Sequence, residues 1–256
     1  MKRPTRSLLG TLACLSFVLA ACFAPASALA DVVDGKLWVP NDLVYALANT
    51  GDTLYVGGRF TYVGPVTGGF ASFSDADGSR DATFPVADGA VQAIVPDGAG
   101  GWFVGGAFTK IGGVSRAGLA RLNPDFGVAA WNPGCDGSVQ SLCVAGAKLY
   151  VGGTFTSIGG MTRKNLAAFD AATGDSSALV LSANAAVYDL LYDDGKLYAA
   201  GDFTTIGSAP RNFVAALDTA TGLATAWNAS ASGTVRALAL DGGTLFLGGS
   251  FTSIGG

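Results

Sequence analysis

The chain has no histidine and no glutamate: its 19 acidic residues are all aspartate, and only 13% of its 256 residues are charged. Without histidine there is no imidazole base, no Ser-His or Cys-His nucleophile pair and no imidazole metal ligand. Glutamate propagates helices, whereas aspartate and the 38 glycines present favour turns. An all-β chain is expected. Half of the residues are hydrophobic, which sets the sequence apart from disordered chains.

Residues 1–30 differ from the rest in composition. Lys2, Arg3 and Arg6 precede an apolar run from Leu8 to Ala24, then Pro25 and the small-residue stretch ASALA ending at Ala30. This is the layout of a secretory signal peptide, and the run is short for a membrane span. Export to the cell envelope or beyond is expected. Ala28-Leu29-Ala30 fits a cleavage site before Asp31. Leu19-Ala20-Ala21-Cys22 also resembles a bacterial lipobox, in which a lipidated Cys22 becomes the new amino terminus. Membrane attachment is expected only through the leader or that lipid. Removal of the leader takes away three basic residues, leaving 12 against 19 acidic ones, or −7. That balance disfavours nucleic-acid binding, which needs clustered lysine and arginine. Cys135 and Cys143 remain. In an exported protein their eight-residue separation across a turn suits a disulfide, the alternative being two small buried thiols.

Self-comparison is more informative. LYVGGRFTYVG (Leu54 to Gly64) returns as WFVGGAFTKIGG (Trp102 to Gly113), LYVGGTFTSIGG (Leu149 to Gly160), LYAAGDFTTIGS (Leu197 to Ser208) and LFLGGSFTSIGG (Leu245 to Gly256). The shared phenylalanines Phe60, Phe108, Phe155, Phe203 and Phe251 are spaced by 48, 47, 48 and 48. Gly58, Gly106, Gly153, Gly201 and Gly249 recur with them. Units fall near residues 44–90, 91–138, 139–186, 187–234 and, incomplete, 235–256.

Each unit carries four β signals. A first strand opens at Val44, Val91, Val139, Val187 or Val235, and a Gly- and Asp-rich turn such as Asp193-Asp194-Gly195 leads into the motif strand. A third strand follows as GLARLN (Gly118 to Asn123), NLAAFD (Asn165 to Asp170) or FVAALD (Phe213 to Asp218). Thr173-Gly174 or Thr221-Gly222 then turns into a fourth, marked by Phe84, Trp131 or Trp227. Four antiparallel strands in about 48 residues, repeated without helices, predict an all-β β-propeller of four-stranded blades. Both faces of the motif strand are apolar or small, as for a sheet held between two others. Its glycine pair predicts close approach of the adjacent blade.

Leu37-Trp38-Val39-Pro40 looks like an orphan fourth strand. Residues 31–256 make about 4.7 repeats, so the chain reads as a C-terminally truncated product, the alternative being an open array, whose last motif strand would offer an unpaired edge that invites association.

VGGTFTSIGG followed by TRKNLAAFDAATG (Thr162 to Gly174), and DGKLYAAGDFTTIG followed by PRNFVAALDTATG (Pro210 to Gly222), resemble the delta-60 repeat family, also described as a β-propeller domain of unknown function in secreted and surface proteins of bacteria. ADGSRDATF (Ala76 to Phe84) is similar to its third-to-fourth-strand turn. The resemblance covers residues 37–256 and implies neither catalytic residues nor an established ligand. Ala200 departs from the pattern at the first glycine of the pair, as does Gly68 where other units have arginine.

Arg116, Arg163 and Arg211 recur at one place and offer a ring for an anionic ligand; the structural alternative is that each fixes a loop through backbone carbonyls or Asp170 and Asp218. Asp75, Asp77 and Asp81 partly match a calcium loop but lack its later bidentate acid, and also make a sound turn. Trp38, Trp131, Trp227 and Phe84 suit sugar stacking or packing between blades. The residue after the glycine pair varies, as Arg59, Ala107, Thr154, Asp202 and Ser250, a place for specificity on a fixed scaffold or, alternatively, an unconstrained solvent position. Asp189 and Asp202 are acids outside the repeat. No metal, cofactor or catalytic set is expected. The sequence predicts an exported, non-catalytic binding or scaffold module with an envelope or extracellular ligand, protein or glycan. A lectin-like propeller and a propeller hydrolase using aspartates are the alternatives.

Overall fold

The computed structural model describes residues 40, 42–50, 53–61, 63 and 68–255. The leader with Cys22, Ala30 and Asp31, and the orphan segment at Trp38, lie outside them.

Every named element is a strand. The first unit contains β1 (Val44–Thr50), β2 (Thr53–Gly58) and β3 (Gly68–Ser74). The second has β4 (Ala87–Pro96), β5 (Trp102–Ala107), a two-residue ribbon of β6 (Lys110–Ile111) and β7 (Val114–Ser115), and β8 (Leu119–Leu122). The third repeats this as β9 (Ser138–Ala145), β10 (Lys148–Thr154), β11 (Ser157–Ile158), β12 (Met161–Thr162) and β13 (Leu166–Asp170). The fourth has β14 (Val187–Asp193), β15 (Lys196–Gly201), β16 (Thr205–Ile206), β17 (Ala209–Pro210) and β18 (Val214–Asp218). The fifth contributes β19 (Val235–Asp241) and β20 (Thr244–Gly249).

In the third and fourth units the motif strand is central, paired antiparallel with the first strand on one side and the third on the other. The fourth segment only begins a ladder. Beyond β13 the chain turns at Gly174 and meets β13 through one bridge, Phe169 to Ser176. Leu217 to Ala224, Leu122 to Val128 and Phe73 to Arg80 repeat that bridge in the other units. In the second and fourth units an arginine adds to this bridge: the Nη2 of Arg116 donates to Ala129 O at 2.6 Å, and that of Arg211 to Thr225 O at 2.5 Å. In the first unit Gly68 stands in place of the arginine, and there β3 pairs in parallel with β4, joining two units in one sheet.

First strands pack on one another in chain order, β1 on β4, β4 on β9, β9 on β14 and β14 on β19. The core therefore lies between sheets. One cluster combines Phe103 and Leu119 of the second unit with Val139, Leu149, Val151, Phe155 and Phe169 of the third. Another joins Tyr150 and Leu166 to Val187, Leu197 and Phe203. Each fully buried Val, Leu or Phe contributes roughly 1.5–3 kcal/mol, so a sheet draws its stability from its neighbours. Among the described strands no ladder joins the fifth unit to the first.

The glycine pair has two causes, of which the sequence suggested one. A β-carbon on Gly57 would lie 2.8 Å from Val91 Cγ1, and one on Gly152 would lie 2.7 Å from Val187 Cγ1; Gly105 meets Val139 in the same way. The first glycine is thus a notch for the first-strand valine of the following unit. The second glycine answers to its own unit: a β-carbon on Gly58, Gly106, Gly153, Gly201 or Gly249 would strike the carbonyl oxygen of Leu43, Ala90, Ser138, Ala186 or Thr234. Those oxygens lie beside a β-bulge in the first strand, which brings the backbones together.

Candidate functional site

The end of each motif strand alternates constant and varied residues. The second glycine and the phenylalanine two residues later are buried in the first four units, and Phe60, Phe108, Phe155 and Phe203 are at most 2% exposed. Between them Arg59, Ala107 and Thr154 are exposed, Asp202 is half-buried, and Ser250 is exposed in the fifth unit. Equivalent places in successive sheets therefore present a row of unlike side chains. The residue after each first-strand valine varies beside it: Tyr45 and Arg236 are exposed, while Gln92, Gln140 and Tyr188 are half-buried.

Several of these side chains bond one another. Arg59 donates Nε and Nη2 to the two carboxylate oxygens of Asp42, each at 2.9 Å, which holds the Asp42 carboxyl below its usual range. Tyr188 donates its hydroxyl to Asp202, which also accepts, at 2.5 Å, the hydroxyl of Thr234 just ahead of β19. Burial raises the Tyr188 phenol, and the bond to Asp202 pushes it the same way. The Arg236 guanidinium stands 5.1 Å from the Tyr188 ring centroid. Ser138 donates to Gln92 across the second joint. Charges of both signs, a phenol and amides line this row, a mixed donor and acceptor set suited to recognition.

The other sequence candidates fall apart in space or serve the scaffold. Arg116 and Arg211 grip backbone carbonyls of the fourth segment and of Ser115 and Pro210, while Arg163 reaches Thr162 O at 3.4 Å. Asp170 and Asp218 instead accept backbone amides of their own turns. Phe84 and Trp131 are buried, the first 4.3 Å from the Phe70 ring and the second 5.2 Å from Phe103. Trp227 is half-buried edge-on to Tyr198. In DADGSRD, Asp77 accepts the Ser79 amide, and Asp81 accepts the Thr83 amide and hydroxyl, as turn residues do. Asp189, 4% exposed, accepts the amide of Leu238 at 2.7 Å and ties the fourth unit to the fifth.

The expected Cys135–Cys143 disulfide is not formed. Cys135 precedes β9, bridges to Ile158 and packs with the cluster between the second and third units. Cys143 faces the cluster between the third and fourth. A bulge in β9 breaks the alternation that would have placed both on one side.

One repeated feature escaped the sequence reading. Three residues before the first-strand valine stand Asp88, Asp136, Asn184 and Ser232, and each accepts the two amides after the motif phenylalanine. Asp136 Oδ1, for example, lies 2.9 Å from both the Thr156 and Ser157 amides. The period of 48 or so carries this signal, although the residue type changes.

The comparisons bear on the repeat. Residues 100–125 and 193–219 match the model of a family described as a domain of unknown function (DUF5122) beta-propeller. Two segments of the chain are thus similar to DUF5122. The two matches occupy equivalent places in the second and fourth units, β5 to β8 and β15 to β18, and the third unit shows the same strand order. No curated protein matches the sequence. Among solved structures, the WD40 beta propeller domain of Doa1 is 15% identical with a TM-score of 0.56, over 82% of this chain and 63% of that one. The computationally designed Ika8 protein is 14% identical with a TM-score of 0.51, over 81% and 55%. These likenesses concern the fold alone, and this chain spans under two thirds of either.

Proposed function

We propose that this chain continues a DUF5122-type β-propeller array and is an exported, non-catalytic binding or scaffold module at the cell surface or outside the cell, built of four-stranded blades of about 48 residues. The observation that carries this reading is the division of labour within each repeat. Constant residues hold the sheets together, while the residue between the buried glycine and phenylalanine varies and faces outward along one row. A rigid scaffold displaying a variable edge is a recognition surface. The acids outside the repeat, Asp189 and Asp202, are each engaged in bonds between the fourth and fifth units.

The test has two parts. The full chain is expressed with a C-terminal tag in a bacterium, and the amino terminus of the fractionated product is sequenced; a start at Asp31 or a lipidated Cys22 supports export, and an intact Met1 in the cytoplasm overturns it. The purified product is then screened on glycan and surface-protein arrays and against glycosidase substrates. Binding that is lost when Arg59, Thr154 and Asp202 are changed to Ala supports the reading; turnover abolished by Asp202→Asn replaces it with an enzyme.

A further inference from the structure

Each first strand bulges at one register, the residue after its valine. Gln92 is left out of the ladder between Val91 and Ala93, Gln140 between Val139 and Ser141, Tyr188 between Val187 and Asp189, and Arg236 between Val235 and Ala237. A bulge kept at the same place re-aims a side chain, and here it presents two amides, a phenol and a guanidinium. In the fourth unit the bulge residue touches the residue after the glycines, since the Tyr188 hydroxyl donates to Asp202. Gln140 and Thr154 hold these two places in the third unit.

At two joints the residue just ahead of the next first-strand valine closes these groups. Ser138 donates its hydroxyl to Gln92 Oε1, and Thr234 donates to Asp202 Oδ1 at 2.5 Å. At the joint between the third and fourth units that residue is Ala186, which has no hydroxyl to give. Among the described residues no hydrogen bond reaches the half-buried Gln140 amide or the exposed Thr154 hydroxyl. Ser141, the next residue, is 5% exposed, and its hydroxyl also has no partner among the described residues. A β-carbon on Gly152 would lie 2.5 Å from Ser141 Oγ and 2.7 Å from Val187 Cγ1, so this hydroxyl lies in the same joint. Its fourth-unit counterpart, Asp189, is satisfied by the amides of Leu190 and Leu238. The Leu190 amide, which would match Leu238 for Ser141, is thereby taken. Buried hydroxyls are rarely left unbonded, and three open polar side chains at one interior joint call for an outside partner.

Taking the outward row as the recognition surface proposed above, we infer that the mouth of this joint binds a neutral saccharide, whose hydroxyls pair with the Gln140 amide and the Thr154 hydroxyl and supply, directly or through a water, the partner that Ser141 lacks. The open groups each donate and accept, as a run of alcohol groups requires, and none is charged. The charge at the equivalent place in the fourth unit, Asp202, is negative and disfavours an anion. Among the described residues of the second to fourth units the exposed large apolar side chains are Val86, Val114, Val180 and Tyr192. None stands at a bulge or after a glycine pair, so a protein partner finds no exposed apolar anchor on this row.

The full chain is titrated on an array of neutral glucan, mannan, galactan and xylan oligosaccharides beside anionic polygalacturonate and heparin fragments. Binding of at least one neutral member, insensitive to salt, is expected. Gln140→Ala and Thr154→Ala are each expected to weaken it about three- to tenfold, the effect of one hydrogen bond. Ala186→Ser copies Ser138, supplies the missing donor to Gln140 and is expected to weaken binding by a similar factor while leaving every open group in place. Circular dichroism and melting curves matching those of the unaltered chain keep unfolding out of the comparison. Failure to bind any neutral saccharide, binding of the anionic ones alone, or an affinity that all three variants leave unchanged overturns the saccharide site. A surface protein bound through Arg59, Thr154 and Asp202 with no saccharide bound overturns it and leaves the binding-module reading standing; silence on both arrays removes both.

Discussion

Arg121 reaches from β8 to Asp97 beyond the end of β4, its Nη2 and Nε 2.7 and 2.9 Å from the same carboxylate oxygen. The Asp97 side chain is 2% exposed, and the guanidinium also stands 5.5 Å from the Phe103 ring centroid. Asp97 further accepts the amides of Ala99 and Gly101, each at 2.8 Å, and so closes the turn between β4 and β5.

Removal of one partner strands the other in a poorly hydrated place. Asp97→Ala is expected to lower unfolding free energy by about 3–5 kcal/mol. Urea denaturation checks this; a loss well under 1 kcal/mol would show the pair to be solvated and incidental.

Alanine is expected to act differently at the second glycine of the third unit and at the first glycine of the fifth. Gly153→Ala drives a methyl into the Ser138 carbonyl, with a loss of about 1–3 kcal/mol or more. Gly248→Ala meets only Ala237 Cβ at 3.7 Å, an ordinary contact, and is expected to change stability by no more than about 0.5 kcal/mol. Equal losses at both positions, read from thermal melts, would contradict the joint as described.

Asp136 links acid stability to the repeat. The Thr156 hydroxyl, followed by the Ser157 and Thr156 amides, holds its carboxyl below the ordinary value of 3.8. A folded value below the unfolded one means that the contribution is complete above the unfolded value and is lost as pH falls through the folded one. Asp136→Asn, which copies Asn184 of the fourth unit, is expected to keep the fold at pH 7 and to flatten the fall in urea midpoint towards pH 3. An unchanged pH profile would show that the carboxylate does not bind those donors.

Burial raises the Cys135 thiol to about 11, against the bond from the Gly137 amide and with the nearby Asp136 charge adding to the rise. At pH 8 it is therefore almost wholly protonated and slow to react. Maleimide labelling is expected to reach Cys135 and Cys143 readily only after denaturation. A Cys135–Cys143 crosslinked peptide in a digest of unreduced protein would contradict the absence of the disulfide.

The parts of the architecture tied to the period were legible because an identity that recurs every 48 residues or so fixes itself: the five phenylalanines, the glycine pairs, and the arginines that grip backbone. The closeness of the next unit at the first glycine was legible too, since an unfilled Cβ position in a strand needs a reason. The second glycine was not, because it answers to a bulge, and bulges leave no regular mark on alternation. For the same reason the cysteine spacing misled: eight residues gave proximity, but the bulge in β9 turned the two thiols to different faces. The turn residues Asp88, Asp136, Asn184 and Ser232 were hidden by interchange of three residue types that accept the same two hydrogen bonds. The fourth segment meets the third strand through one bridge in each of the first four units, and the burial of Trp131 and Phe84 comes from packing against rings.

An experimentally determined structure of the chain tests the joint between units most directly. It is expected to place the γ-methyls of Val91, Val139 and Val187 against Gly57, Gly105 and Gly152, with Val235 against Ala200, one sheet following another. Sheets facing each other as two layers, or those valines directed to solvent, would contradict it.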